Sequence, residues 1–280
     1  MARIHKIDLY EVGLGMLFII VKFFLKSEYL HYGFFSDGLK GDISNLAKAQ
    51  ENYADFLLSQ IPEGVKTIID VGCGSGKMAQ NLVRHGYRVD CVSPNSLLNE
   101  HARKLLGDDS EIFQCKYQEL QTEKRYDMIL FSETFHYIPI DISIENSLKF
   151  ANPKGYIMIC DFFKTNAPGK SRLGGGYKLS TWEKKTEKFP LTMIKEQDIT
   201  EETAPTIDIV NSLSEEVFHP IWNLISRLAE DRYPHLLKLV KWKFRKKIAK
   251  IENKHFSGQR TGENFKKYKK YILYLFQKMD

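Results

Sequence analysis

Residues 68–76 read IIDVGCGSG: an apolar run, an aspartate, then glycines at every second position. Three of the chain's 18 glycines fall within these few residues. Glycine lacks a Cβ, so such a loop turns sharply and lets the main chain approach a ligand. From Lys77 onward the spacing is helical, and the free N–H groups at a helix start favour negative charge. A strand, a glycine loop and a helix with an acid at the strand's end therefore ask for a ligand with two ends. One end is anionic, near the glycines; the other is cationic or hydrogen-bond donating, near Asp70. A dinucleotide meets only the first demand, because its fingerprint places the acid about 20 residues further on. An amino-acid-like ligand, carrying a carboxylate and an ammonium, meets both.

The surroundings of this motif set the fold class. Strand-like runs at 66–71, 87–92, 111–115, 126–131 and 155–160 alternate with helix-like segments near 77–85, 96–106 and 141–151. Apolar strands separated by helices predict a doubly wound, mostly parallel α/β sheet covered on both faces. Upstream, Leu46, Ala49, Tyr53, Phe56 and Leu57 predict a helix over 45–60, with Asp42 or Ser44 at its start. Residues 164–190 are polar, contain GKSRLGGGY and read as a long lid-like loop. A strand near 191–197, a helical region over about 206–255 and a last strand with Ile272, Tyr274 and Phe276 on one face complete the pattern.

DVGCGSG in this setting resembles motif I of class I S-adenosylmethionine (SAM) methyltransferases. The resemblance covers roughly residues 44–163. YDMILFSETFHYI (126–138) is similar to the family's fourth strand and the loop after it, and ANPKGYIMICDFF (151–163) to the segment leading into strand five. It implies a Rossmann-like fold with a C-terminal antiparallel strand, SAM as cofactor, and Asp70, Gly72, Gly74 and Gly76 around its methionine end. One departure stands out. The family usually ends strand two in an acid that holds the ribose hydroxyls; here Ser93 occupies that place, with Asn95 nearby. Tyr117 and Gln118 stand where adenine contacts come. HYGFF (31–35) resembles a pocket-closing segment of small-molecule and lipid methyltransferases, offering Tyr32 as a face for a cation, with Gln50 from the next helix beside it. The same aromatics also suit docking of an N-terminal helix.

Methyl transfer is an in-line displacement, so the protein chiefly aligns its reactants and excludes water. A base is needed only where the acceptor loses a proton. Glu133 and His136, just after strand four, are the candidate catalytic residues. FSET in place of an NPPY-like motif argues against DNA adenine or glutamine amide as acceptor, and no Pro-Cys nucleophile of the cytosine enzymes is present. A small molecule or lipid-like amphiphile is the expected acceptor. An RNA methyltransferase and a non-catalytic SAM-binding scaffold are the alternatives.

Charge separates the two ends of the chain. From Arg232 to Asp280 there are 15 Lys and Arg against 3 Asp and Glu, while the first 231 residues hold 26 against 32. HLLKLVKWKFRKKIAKIENKHF (235–256) places Leu236, Leu239, Val240, Ile248 and Ile251 on an approximate stripe among lysines and arginines. Such a helix suits an anionic membrane surface, RNA, or simple solvation. The run Val12–Val21 is too short to span a bilayer and lacks a signal-peptide cleavage site, so it is read as an apolar helix packed on the domain or lying on a membrane. Cys73, Cys91, Cys115 and Cys160 form no CxxC pair or zinc spacing. No metal site is expected, and a reduced, cytoplasmic setting is, with membrane association as a further option. The expected organisation is a lid segment at 1–43, a SAM-binding core at 44–205, a basic helical insertion at 206–262 and a last core strand at 263–280. Oligomeric state is not legible.

Overall fold

The computed structural model describes residues 9–169, 171–235, 238–239, 241–246 and 259–280. Seven strands form one sheet: β1 Thr67–Val71, β2 Arg88–Val92, β3 Ile112–Phe113, β4 Tyr126–Ser132, β5 Ala151–Lys164, β6 Leu191–Asp198 and β7 Lys269–Lys278. Their order is β3-β2-β1-β4-β5-β7-β6. The first five run parallel, and β7 is antiparallel to both β5 and β6. The order reverses between β1 and β4, where a crevice opens beyond the carboxyl ends of the strands.

Alternation along each strand builds two cores. Ile68, Val89, Met128, Leu130, Met158, Leu273 and Leu275 face one layer. Its helices are α2 (Leu46–Ser59), α3 (Lys77–Arg84), α4 (Ser96–Leu106), α7 (Thr200–Leu213) and α9 (Gly262–Tyr268). Ile69, Val71, Ile129, Phe131, Ile157, Ile159, Ile272, Tyr274 and Phe276 face the other, against α5 (Ile140–Phe150) and α6 (Leu179–Thr186). Each of these fully buried aliphatic or aromatic side chains contributes roughly 1.5–3 kcal/mol. Strands buried on both faces explain the near-continuous apolar runs of β1 and β4.

The ends differ in detail from the sequence pattern. The helix read from about 206 begins at Thr200, so Pro205 lies inside it and the 205/206 boundary falls within α7. A proline reads locally as a first-turn residue. The expected long loop contains α6, whose one buried side chain, Trp182, anchors it among Phe135, Phe163 and Tyr274. Asp42 caps a short 3₁₀ turn ahead of α2, accepting from the Ser44 N–H at 2.8 Å. Asp90, within β2, accepts from the Glu111 N–H and the Tyr126 hydroxyl and pairs with Lys124.

Helix α1 (Leu9–Ile20) runs into a π-helical turn, Val21–Leu25, and lies on α4. Phe18 and Val21 are buried, with the Phe18 ring 4.7 Å from His101, while Met16, Leu17, Ile19, Phe23 and Phe24 are exposed. Helix α8 (His219–Arg232) likewise exposes Ile221, Trp222, Leu224, Ile225 and Leu228. Of the basic stripe, Leu239, Trp242 and Phe244 are exposed, as are Lys238, Lys241, Arg245 and Lys246; Leu236, Val240, Lys247, Ile248, Lys250 and Ile251 lie outside the described residues. No described helix is long and apolar enough to cross a membrane.

Candidate active site

The glycine loop forms the floor of a cavity with about 700 Å³ of empty space, part of it open to solvent. Gly72, Gly74 and Gly76 all hold positive φ, at 81°, 54° and 81°. Their reasons differ. A Cβ on Gly72 would stand 2.8 Å from Cβ of Thr134, and one on Gly76 2.6 Å from Cβ of Ala102, so these two let the loop pack against β4's end and α4. A Cβ on Gly74 would meet only Leu30 Cδ1, at 3.7 Å; this glycine lines the cavity and leaves its main chain open to a ligand.

Asp70 is buried beneath the loop, and its Oδ2 has no hydrogen-bond partner. Burial pushes its carboxyl up to about 7. A buried acceptor left bare costs about 1–3 kcal/mol, so the site is built for a donor or cation that is not part of the chain. The cavity wall carries no Lys or Arg. Asp70 Oδ2 and the open Gly74 cradle fit SAM, which brings an ammonium and a sulfonium on an amino-acid tail. Asp70, Gly72, Gly74 and Ser75 line the cavity and are the residues that would hold it.

Glu133 lines the same cavity at the end of β4. It is a non-glycine residue at φ 57°, a left-handed conformation that costs of order 1–3 kcal/mol and persists only where the surroundings enforce it. Its N–H donates to the Cys160 carbonyl at 2.9 Å, and Oε1 accepts from the Tyr32 N–H and the Tyr271 hydroxyl, both at 2.7 Å. Tyr271 also bonds the Tyr53 hydroxyl at 3.0 Å, which in turn meets Ser132 Oγ at 3.2 Å. Burial raises the Glu133 carboxyl to about 8 despite these donors.

His136 sits one step outside the cavity. Its Nδ1 lies 2.9 and 3.0 Å from the two oxygens of the buried Asp161, so Nδ1 carries a hydrogen that this carboxylate accepts. Its ring packs 3.9 Å from Tyr137, which lines the cavity, and 4.6 Å from Phe162. Gly174–Gly176 fold over this corner. Lys269 Nζ donates to the Gly174 and Gly175 carbonyls at 3.1 and 2.5 Å, and burial pulls its ammonium down to about 8.

The remaining sequence candidates spread out. The Tyr32 N–H holds Glu133, while its ring packs among Phe162, Phe265 and Tyr271, so it braces the site from behind. Gln50 accepts from Ser27 and donates to the Tyr29 and His31 carbonyls, fixing the segment that roofs the cavity. Ser93 and Asn95 form the turn into α4, where Asn95 Oδ1 caps the Leu98 N–H and its Nδ2 is buried without a partner. The carboxylate at this corner comes from α1: Glu11 accepts from the Ser96 N–H at 3.0 Å. Tyr117 is buried with its hydroxyl on Ser147, and Gln118 is exposed. Leu14, Tyr29, Leu30 and Thr134 also line the cavity, together with His31 of the HYGFF cluster. Of these, only the HYGFF cluster gave a local signal.

A family model described as a methyltransferase domain matches residues 46–199. A ubiquinone biosynthesis O-methyltransferase of Bradyrhizobium diazoefficiens is 28% identical over 97 residues, which is 33% of this chain and 38% of that protein. The chain thus spans about two-fifths of the length of that curated relative. Among solved structures, a cyclopropane synthase, MmaA2, from Mycobacterium tuberculosis superposes with a TM-score of 0.67 at 14% identity, covering 95% of this chain and 93% of that one. A geranyl diphosphate C-methyltransferase from Streptomyces coelicolor, solved with Mg2+, geranyl diphosphate and S-adenosyl-L-homocysteine, gives 0.65 at 14% identity over 97% and 98%.

Proposed function

Because the chain belongs to the methyltransferase domain family and has the fold of class I SAM-dependent methyltransferases, we propose that it methylates a small-molecule acceptor held beside Glu133. The observation that carries this reading is the bare Asp70 carboxylate beside an open glycine loop, sharing one cavity with a second buried carboxylate at the end of β4. Bound SAM supplies a methyl group already activated by a sulfonium. Asp70 Oδ2 would accept a hydrogen bond from the ammonium, and Gly72 and Gly74 would admit the tail to the main chain. Tyr271 and the Tyr32 N–H fix one oxygen of Glu133, so its carboxylate is aimed rather than free to rotate. A carboxyl titrating near 8 keeps its proton in most molecules at neutral pH and gains the capacity to accept one from a hydroxyl or amine as pH rises towards 8. His136, oriented by Asp161, is the second proton acceptor, one ring away.

Production of S-adenosylhomocysteine from SAM across a panel of phenols, amines and lipid-linked amphiphiles tests the proposal. Glu133→Gln should lower turnover by about 10²-fold or more while SAM affinity changes little; His136→Gln should act in the same direction. Unchanged turnover in both variants would leave alignment alone as the mechanism. SAM binding without turnover on any acceptor would favour a scaffold role.

The exposed apolar face of α1 favours a second, finer reading: an amphiphilic acceptor met at a lipid surface. Met16, Leu17 and Ile19 of α1, with Phe23 and Phe24 of the π-helical turn after it, are exposed near Lys22 and Lys26, and Leu14 of α1 lines the cavity. A basic residue at an anionic bilayer is worth about 1 kcal/mol. Co-sedimentation with anionic vesicles, reduced by high salt, is the expected result. Protein left in the supernatant at low salt would remove this reading.

A further inference from the structure

His31 lies on the segment that lines the cavity, between Leu30, against Gly74, and Tyr32, whose N–H bonds Glu133. Its ring is gripped on its faces and edges, 4.8 Å from Tyr29 and 4.3 Å from Tyr53. Its own carbonyl and that of Tyr29 are held by the Gln50 amide. Nδ1 lies 2.8 Å from the Tyr32 carbonyl oxygen. A carbonyl oxygen can only accept, so Nδ1 carries the hydrogen and the tautomer is fixed. Nε2 is then a bare lone pair. It is buried and has no partner, and His31 is one of the residues that line the cavity. The same cavity holds one other orphaned acceptor, Asp70 Oδ2.

We propose that His31 Nε2 is a cofactor-recognition group: together with Asp70 Oδ2, it accepts hydrogens from the α-ammonium of bound SAM. The assignment rests on SAM occupying the glycine-loop cavity. An ammonium has three hydrogens to place, and Asp70 Oδ2 and His31 Nε2 are two buried acceptors with nothing else to bond. Burial lowers the His31 imidazolium to about 4, so the ring stays neutral over the physiological range and a cationic ligand only reinforces that state. The arrangement selects a ligand with an amino group and rejects one without it, because the unmatched lone pair stays desolvated.

Calorimetry with S-adenosylhomocysteine and with its analogue lacking the α-amino group tests this. His31→Phe keeps a ring against Tyr53 but removes the lone pair. It should weaken S-adenosylhomocysteine about tenfold, in line with a hydrogen bond to a charged group, and leave the deamino analogue within about twofold. His31→Gln, which restores an acceptor oxygen, should recover part of the loss. Equal weakening of both ligands, or no weakening of either, would overturn the assignment. A variant-free check is the 15N resonance of His31 Nε2 in the wild-type chain. It should move from the bare to the hydrogen-bonded range with S-adenosylhomocysteine and not with the deamino analogue. Appearance of an Nε2-bound proton instead would mean that His31 donates, and would also overturn it. If the wild-type protein binds neither ligand, SAM occupancy of the cavity itself fails, a result distinct from all of these.

Discussion

Replacing Glu133 with Gln should make the protein more stable at high pH than at low pH relative to wild type. In the folded chain this carboxyl titrates near 8, raised from 4.5 chiefly by burial. Between those values the unfolded chain has lost the proton and the folded chain keeps it, so wild-type stability falls as pH rises. The penalty is absent below about 4.5 and complete above about 8. A shift of this size corresponds to at most about 5 kcal/mol, and contact with the open cavity reduces that to about 2–4 kcal/mol. Gln keeps the length of the side chain and an oxygen for the Tyr271 hydroxyl and the Tyr32 N–H, so it removes the titration with little change in packing. Urea unfolding at intervals from pH 5 to pH 9 measures the difference. Glu133→Gln minus wild type should be near zero or slightly negative at pH 5 and rise by about 2–4 kcal/mol by pH 9. Other titrating groups are common to both proteins and cancel. A difference that does not change with pH would refute the claim that Glu133 is held in a desolvated, proton-retaining site.

Gly72→Ala should destabilise the fold by about 2–4 kcal/mol, since its Cβ would lie inside contact with Thr134 at a φ of 81°; thermal unfolding measures it, and Thr134→Ser should relieve part of the loss. Glu11→Ala removes the carboxylate that ties α1 to the start of α4, so limited proteolysis within residues 9–25 should quicken while the midpoint of global unfolding shifts little. Lys269→Met, which cannot bond the Gly174 and Gly175 carbonyls, should likewise raise proteolysis near Gly174–Gly176.

The central sheet was legible because its signal is local. TIIDV, YDMILF and YIMIC are apolar on both faces, and only a strand covered on both sides calls for that. Asp70 and Glu133 were legible because each ends such a strand at the crevice. What escaped depends on distant packing. LSTWEKKT has too little apolar periodicity to announce α6; Trp182 forms it by entering a ready-made aromatic pocket. Pro205 hid the true start of α7. Glu11 reaches the start of α4 only because α1 lies on α4, across 85 residues of sequence. His31 Nε2 is left without a partner because Nδ1 bonds its neighbour's carbonyl and the ring packs on Tyr53, neither of which its sequence context reveals.

Calorimetric titration of SAM into the wild-type chain and into Gly74→Arg tests the account most directly. Gly74 lines the cavity and a Cβ there meets only Leu30 Cδ1, in ordinary contact at 3.7 Å, so an arginine there would place its bulk in the cavity assigned to the ligand's tail. Wild type should bind one SAM per chain, and Gly74→Arg should bind none while keeping the far-ultraviolet circular dichroism of wild type. Equal SAM affinity in the two proteins would contradict the glycine-loop cavity as the cofactor site.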